Sequence, residues 1–422
     1  MKITIIGAGP GGYETAIYAA KKGIEVTLIA EGPLGGTCLN EGCIPTKTFC
    51  HYAGNTDYAV ALQKKQQVVE QLKKGLQFLL KGITVVNGHA VLKDAHTVVV
   101  DGTEYSSDYI IVATGSVSAK LNIPGIELDN VLYSNDILSM EALPESICVV
   151  GGGVIGLEMA SYLNAYGVEV TVVEYADEVL PNLDADLAKR IRAILAKKGV
   201  DIVTSAKVTE IDSDGVTYIY KGEEEYVEAD AVLMAVGRRA NVENLGLEAV
   251  GVVCGRKGIE VDDNMKTNID SVYAIGDVNG RLMLAHVATF QGKRAINAIL
   301  GKKDNIQFNF TPSVVYTTPE VASVGMSEAA CDEEELDYRI LKMPFSSNGK
   351  AVTMNETDGF CKVIIDNETE QMLGCHIIGP HASDLIAEAT SLISMHATIQ
   401  DMQDIIHPHP SLCEIFQNTI NE

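Results

Sequence analysis

Read from its N-terminus, the chain alternates short apolar runs with glycine-rich breaks and helical stretches. In "KITIIGAGPGGYETAIYAAKKGIEVTLIA", Ile3, Ile5 and Ile6 lead into Gly7, Tyr13 to Lys22 carry helical spacing, and Val26 to Ile29 are apolar again. That pattern predicts strand, turn, helix and strand. The same grammar returns in "ICVVGGGVIGLEMASYLNAYGVEVTVVE", from Ile147 to Glu174. Two such βαβ units predict two doubly wound nucleotide-binding domains rather than one. Residues 60–81 and 187–198 read as amphipathic helices, and alternating strand segments run on to "AVLMAVGRR" at 231–239. After "YAIGDVNG" the chain changes character, and "SDLIAEATSLISMHATIQDM" predicts a helix with Leu385, Ile386, Ala389, Leu392, Ile393 and Ile399 on one face.

Composition narrows the class. With 422 residues, 46% hydrophobic and 21% charged, the chain is long enough for several buried cores. A formal charge of -25 repels phosphate backbones and anionic lipid, which argues against nucleic acid or a membrane surface as the main partner. No stretch is long and apolar enough to span a membrane, and the run before Gly7 is too short for a secretory signal. The nine cysteines are an odd number, and Cys148 and Cys361 sit inside apolar runs as buried thiols of a reducing compartment do, so a cytoplasmic protein is expected.

Four constellations carry chemistry. Gly7, Gly9 and Gly12 form G-x-G-x-x-G between strand and helix, where glycine lets the backbone meet a pyrophosphate at a helix N-terminus. Gly151, Gly153 and Gly156 repeat it, and Glu174 closes the second strand where a carboxylate would hold the ribose 2′-hydroxyl, a choice that favours NAD over NADP. In the first unit Ala30 stands at that place, with Glu31 one residue later. In the loop "GGTCLNEGCIPTK", Cys38 and Cys43 form a close pair. The helix that Pro45 is expected to begin aims its positive end at Cys43, favouring a reactive thiolate. A structural staple is disfavoured, because so small a ring restrains little chain entropy. Finally, "IIHPHPSLCE" stiffens His407 and His409 between prolines, with Glu414 in reach to fix a tautomer for acid–base work. Zinc binding by the same residues is the weaker alternative, for want of a third convincing ligand.

Together "GAGPGG", "GGTCLNEGCIPTK", "ATGS", "GGGVIGLE", "AIGDV", "MLAH", "YTTPEVASVG" and "HPHPSLCE" run through nearly the whole chain and resemble the pyridine nucleotide-disulfide oxidoreductases. The resemblance implies an α/β fold with two Rossmann-like domains and a C-terminal α+β dimerisation domain. FAD would bind on residues 1–118, NAD on 119–243; 244–308 would complete the FAD site, and 309–422 would form the interface of a homodimer. It implies that Cys38 is the thiol exchanging with substrate and Cys43 the one against the flavin, with Lys47 near the flavin and paired to Glu158, and His409 as acid/base with Glu414 as its partner. FAD would be lined by Gly7, Gly9, Gly12, Glu31, Gly36, Thr37, Lys47, Ala90, Thr114, Gly115, Asp277, Met283, Leu284, Ala285 and His286. NAD would be lined by Gly151, Gly153, Val154, Ile155, Gly156, Glu158, Glu174, Val208 and Gly237, with no metal. The implied activity is oxidation of a protein-bound dihydrolipoyl group, on a 2-oxo acid dehydrogenase complex or the glycine cleavage system, with electrons passing through the cysteine pair and FAD to NAD+. Reduction of glutathione or another small disulfide with NADPH is the rival within the family, and a flavoprotein kept as a scaffold the rival outside it. Three departures from the family pattern are Ala30, a segment after Lys47 shorter than the pattern has, and the cysteine at position 413.

Overall fold

The computed structural model describes all residues from Met1 to Glu422, and the chain divides into two compact units. The first gathers residues 1–48, 60–120 and 237–306. Its centre is a five-stranded parallel sheet in the order Val272–Ala274, Tyr109–Val112, Lys2–Ile6, Glu25–Ala30, Thr84–Asn87. The near-continuous apolar runs of these strands are what a sheet covered on both faces requires: Ile3, Ile5, Leu28, Ile110 and Ile111 are fully buried. Helix Pro10–Lys21 packs against helix Ala285–Ile299, and a three-stranded antiparallel sheet, Ala90–Asp94, Thr97–Val100 and Thr103–Ser106, closes over a second apolar cluster.

The second unit gathers residues 49–59, 121–236 and 307–422. Its parallel sheet runs Asp201–Val203, Glu169–Val173, Ser146–Val150, Ala231–Met234, Val131–Leu132, repeating the first sheet's use of a central strand that ends in a glycine turn. A five-stranded antiparallel sheet, in the order Ser313–Val315, Glu320–Gly325, Met372–Gly379, Phe360–Asp366, Tyr338–Pro344, carries helix Ala382–Ser394 on one face.

Two sequence expectations need correction. The apolar face expected to run unbroken to Ile399 is interrupted. Helix Ala382–Ser394 ends, His396 turns through a left-handed φ of 55°, and Ile399 opens a new helix, Ile399–Gln403, capped by Thr398. Leu385 and Ile399 still pack on the same core, so the periodicity recorded a shared destination, not a single helix. The strand expected across 231–239 stops at Met234, and Arg238–Ala240 pairs instead with Ser116–Ser118.

A buried cation was not foreseen. The side chain of Lys362 is fully buried in strand Phe360–Asp366, and its ammonium donates to both oxygens of Asp184, at 2.8 and 3.0 Å, to Asp186 at 3.3 Å and to Glu328. Three carboxylates close enough to suggest a metal site are thus organised around a lysine.

Candidate active site

The two glycine turns are built alike. A Cβ on Gly7 would lie 2.2 Å from the Ala113 carbonyl oxygen, and one on Gly12 would lie 1.8 Å from that of Gly7. In the second turn a Cβ on Gly151 would meet the Ala235 oxygen at 2.6 Å and one on Gly156 the Gly151 oxygen at 2.0 Å. Outer glycines therefore let strand, helix and neighbouring strand close together. Gly9 and Gly153, by contrast, face open space with nothing within 4 Å, just before helices Pro10–Lys21 and Val154–Ala165. A bare backbone turn with clearance at the positive end of a helix is what the pyrophosphate of a dinucleotide fits, so both turns pass that test.

The carboxylates beyond the second strands behave differently. Glu174 accepts from the backbone N–H of Gly152 at 2.5 Å and of Ala176 at 2.6 Å, tying the strand end to the glycine turn. Glu31 has its carboxylate 3.0 Å from His89 Nδ1 instead.

The cysteine pair is mounted directly on the first turn. Gly35 N–H donates to the Ala8 carbonyl at 2.9 Å, and Gly36 packs so closely on Gly9 that a Cβ there would lie 2.7 Å from the Gly9 Cα. The expected loop is in fact helical: Gly36–Glu41 carries Cys38, Gly42 breaks it, and a second helix, Cys43–Tyr52, begins at Cys43 itself. Pro45 lies inside the first turn of that helix, where its missing N–H costs nothing. The two thiols are hydrogen-bonded to each other, and both are half-buried. That bond, then burial and the charge of Cys43, push the Cys38 thiol far up, with Lys47 opposing. Cys43, for its part, sits at the positive end of a helix, which favours a thiolate there.

Asp277 lies in the short turn Gly276–Asn279 and accepts from Ser116 Oγ at 2.5 Å. Ser116 in turn receives Arg238 Nε on its hydroxyl and Arg238 Nη2 on its carbonyl, both at 2.7 Å. Burial lowers the Arg238 pKa against the opposing charges of Asp277 and Cys43. The buried Gln291 carboxamide accepts from Gly276 N–H at 2.7 Å and from Asn279 at 2.8 Å, fixing that turn. Ser116, Arg238 and Gln291 were not singled out from sequence: the serine of "ATGS" and the first arginine of "AVGRR" find their partners 161 and 122 residues away.

The remaining expected contacts are spread over both units. Thr114 Oγ1 donates to the Asn241 carbonyl at 2.7 Å, and the Gly115 carbonyl accepts from Asn241 N–H at 3.0 Å. Gly36, Lys47, Met283, Leu284 and Ala285 are half-buried, Thr37 and His286 exposed, and Ala90 buried at the start of Ala90–Asp94. In the second unit Val154 is exposed, Ile155 half-buried, Val208 buried in strand Ala206–Ile211, and the buried Glu158 accepts from Tyr316 N–H at 2.9 Å. Gly237 adopts a φ of 102°.

The histidines of "HPHP" part company. His407 turns inward, its Nε2 2.7 Å from Glu388. His409 projects outward with its side chain 80% exposed and its Nδ1 2.8 Å from Glu414 Oε1, while Glu414 Oε2 accepts from Ser411 N–H at 2.7 Å. That N–H and then His409 hold the Glu414 carboxyl below its usual range. A carboxylate on Nδ1 leaves Nε2 outward as the working nitrogen. With each histidine aimed at its own carboxylate, the two do not converge on one centre.

Residues 1–292 match the family described as pyridine nucleotide-disulphide oxidoreductase, and residues 311–420 match its dimerisation domain. The chain belongs to this family. Relatives within it include dihydrolipoyl dehydrogenase of Chlamydia trachomatis serovar D, 38% identical over 98% of this chain and 94% of its own length. Another is dihydrolipoyl dehydrogenase of Geobacillus stearothermophilus, 39% identical over 97% of this chain and 93% of its own. Among solved structures, the HOCl-induced flavoprotein disulfide reductase RclA of Escherichia coli superimposes with a TM-score of 0.93 at 31% identity, covering 100% of this chain and 99% of that one. LpdA of Mycobacterium tuberculosis does so with a TM-score of 0.93 at 28% identity, over 100% and 99%.

Proposed function

We propose that the chain is a dihydrolipoyl dehydrogenase, a homodimeric cytoplasmic flavoenzyme that oxidises protein-bound dihydrolipoyl groups with NAD+. The observation that carries this reading is the dithiol mounted on the first glycine turn, Cys38 and Cys43 hydrogen-bonded to each other at the start of a helix. Support for the substrate comes from relatives of that name matching nearly the full chain, and support for a homodimer from the dimerisation-domain match at 311–420. No helix is long and apolar enough to cross a membrane.

FAD, held on the first glycine turn, supplies a two-electron relay between thiols and nicotinamide when bound. The chain's own residues do the rest. With Cys38 and Cys43 joined as a disulfide, one substrate thiol gives its proton to His409 of a second copy and attacks the Cys38 sulfur, forming a mixed disulfide and expelling Cys43 as thiolate. The second substrate thiol then closes the lipoyl disulfide and releases Cys38, which takes up the proton. Cys43 keeps the negative charge, which the helix end at Cys43 favours. Glu414 orients His409 and stabilises its cation. The sum is dihydrolipoyl plus NAD+ giving lipoyl disulfide, NADH and a proton.

Measuring the half-reactions separately tests this. His409→Ala is expected to slow dihydrolipoamide oxidation by about a hundredfold or more while leaving reduction of the bound flavin by NADH unchanged. Cys43→Ser is expected to abolish lipoamide turnover. Equal loss of both half-reactions in His409→Ala, or faster turnover of glutathione disulfide with NADPH by the unmodified protein, overturns the reading.

A further inference from the structure

We propose that Glu31 and His89 form a protonation-dependent clamp for the adenosine ribose of FAD, taking the place of the strand-terminal carboxylate that Ala30 does not supply. The inference rests on the FAD reading above. In a doubly wound sheet the ribose is held where the second strand ends. Here that strand ends at Ala30, 2% exposed and paired with Asn87, the last residue of the neighbouring strand. Glu31 and His89 lie just beyond these two strand ends, and the Glu31 carboxylate is 67% exposed.

The His89 ring bridges two groups that can only accept. Its Nδ1 lies 3.0 Å from Glu31 Oε1 and its Nε2 2.9 Å from the Asn244 carbonyl oxygen. For both contacts to hold at once both nitrogens must donate, as they do in an imidazolium. The bridge leaves His89 nothing to offer a ligand, so it is a positioning residue. Glu31 keeps one oxygen, Oε2, free of protein partners and directed by the bond to the other. An exposed ion pair adds little to folding stability. What this one does is fix a carboxylate at the position where vicinal hydroxyls need an acceptor.

The charges around the ring agree. From the second strand comes Glu31; beside Gly88 stands Asp101, whose Oδ2 would lie 2.9 Å from a Cβ at that glycine. From the third side comes only the Asn244 carbonyl, because the preceding Glu243 is tied to Arg239 at 2.8 Å. The Asn244 carbonyl, then Glu31, raise the His89 pKa against a small cost of burial. A raised folded-state pKa makes the clamp complete below that value, and it opens as pH rises through it. A neutral ring can donate only once, so it no longer bridges Glu31 and the Asn244 carbonyl.

Flavin retention reads this directly. FAD is titrated into deflavo-protein and binding followed by quenching of flavin fluorescence, for unmodified protein, Glu31→Gln and His89→Gln, at about pH 6 and about pH 8.5, on either side of an ordinary histidine pKa. The unmodified protein is expected to lose about tenfold in affinity at the higher pH, the scale of one hydrogen bond to a charged group. Glu31→Gln and His89→Gln are expected to be weakened by about the same factor at both values, with the pH dependence gone. Unmodified protein that binds FAD, with both variants matching it in affinity and in pH profile, overturns the clamp and leaves the function standing. Failure of the unmodified protein to bind FAD at all overturns the function on which the clamp rests.

Discussion

The two βαβ units share a turn and differ in the segment that leaves the second strand. In the unit around Gly151, the strand-terminal Glu174 bonds back to the glycine turn, and the chain then runs to Asp184, where the buried Lys362 holds it. In the unit around Gly7, the equivalent place is taken by Ala30, and the chain runs within a few residues into the cysteine-bearing helix Gly36–Glu41, anchored on Ala8 and Gly9. One unit thus uses the segment after its acid to make a self-contained nucleotide cradle. The other uses it to bring a dithiol onto the glycine turn, and its nearest carboxylate, Glu31, stands one residue further on. In the proposed function the same local fold serves a site that only binds and a site that binds and reacts.

Matched alanines at the third glycines are the harshest way to break that comparison. Gly12→Ala puts a Cβ 1.8 Å from the Gly7 oxygen and is expected to yield colourless protein with flavin absorbance lost. Gly156→Ala, with its Cβ 2.0 Å from the Gly151 oxygen, is expected to keep the flavin but slow its reduction by NADH by about a hundredfold. An exchanged pattern, flavin lost from the second and NADH reactivity from the first, exchanges the roles of the units.

Next in size is Lys362→Met. Removing the ammonium leaves the buried Asp184 with Asp186 and Glu328, and about 3 kcal/mol of stability is expected to go, read by denaturant unfolding. Burial raises the Asp184 pKa, but the hydrogen bond and charge of Lys362 outweigh it and hold the carboxyl low. This contribution is therefore present at neutral pH and lost as pH falls through the depressed value, so the difference between variant and parent is expected to shrink in acid. A smaller effect comes from Glu174→Ala. Two backbone N–H groups lose their acceptor, and the KM for NADH is expected to rise about tenfold with flavin content unchanged. Glu31→Gln is expected to leave that KM alone, which separates the two carboxylates.

What was legible in the sequence is what spacing alone fixes. The glycine triplets, the cysteine pair and the His409–Glu414 dyad each lie within a few residues, and backbone geometry leaves their side chains little choice. The helix start at Cys43 rather than Pro45 was missed because Gly42, not the proline, breaks the preceding helix. Lys362 was passed over inside "FCKVII" because its partner Asp184 stands 178 residues away. Glu31 was legible as the nearest carboxylate to the place that Ala30 takes, but its orientation depends on His89, which reaches it through the pairing of two strand ends.

The finest distinction between the units is at the residue after the glycine of "ATGS" and "AVGR". Each segment follows the strand that pairs with the central strand of its sheet, and each glycine has a left-handed φ, 73° at Gly115 and 102° at Gly237. The next residue is Ser116 in one and Arg238 in the other, and these two equivalent positions bond to each other across an antiparallel pair. Through the serine, the arginine reaches Asp277. Ser116→Ala removes the bridge while leaving the backbone bond to the Ser116 carbonyl, so Asp277 loses a donor and Arg238 keeps one anchor. FAD affinity is expected to fall about fivefold, the scale of one net hydrogen bond lost at a residue that supports the site indirectly, with NADH KM unchanged. Arg238→Lys, which cannot make the two-pronged contact, is expected to have a similar or smaller effect. The double variant is expected to be no worse than the larger of the two, because each removes the same connection; fully additive losses would show that Ser116 and Arg238 serve the flavin separately.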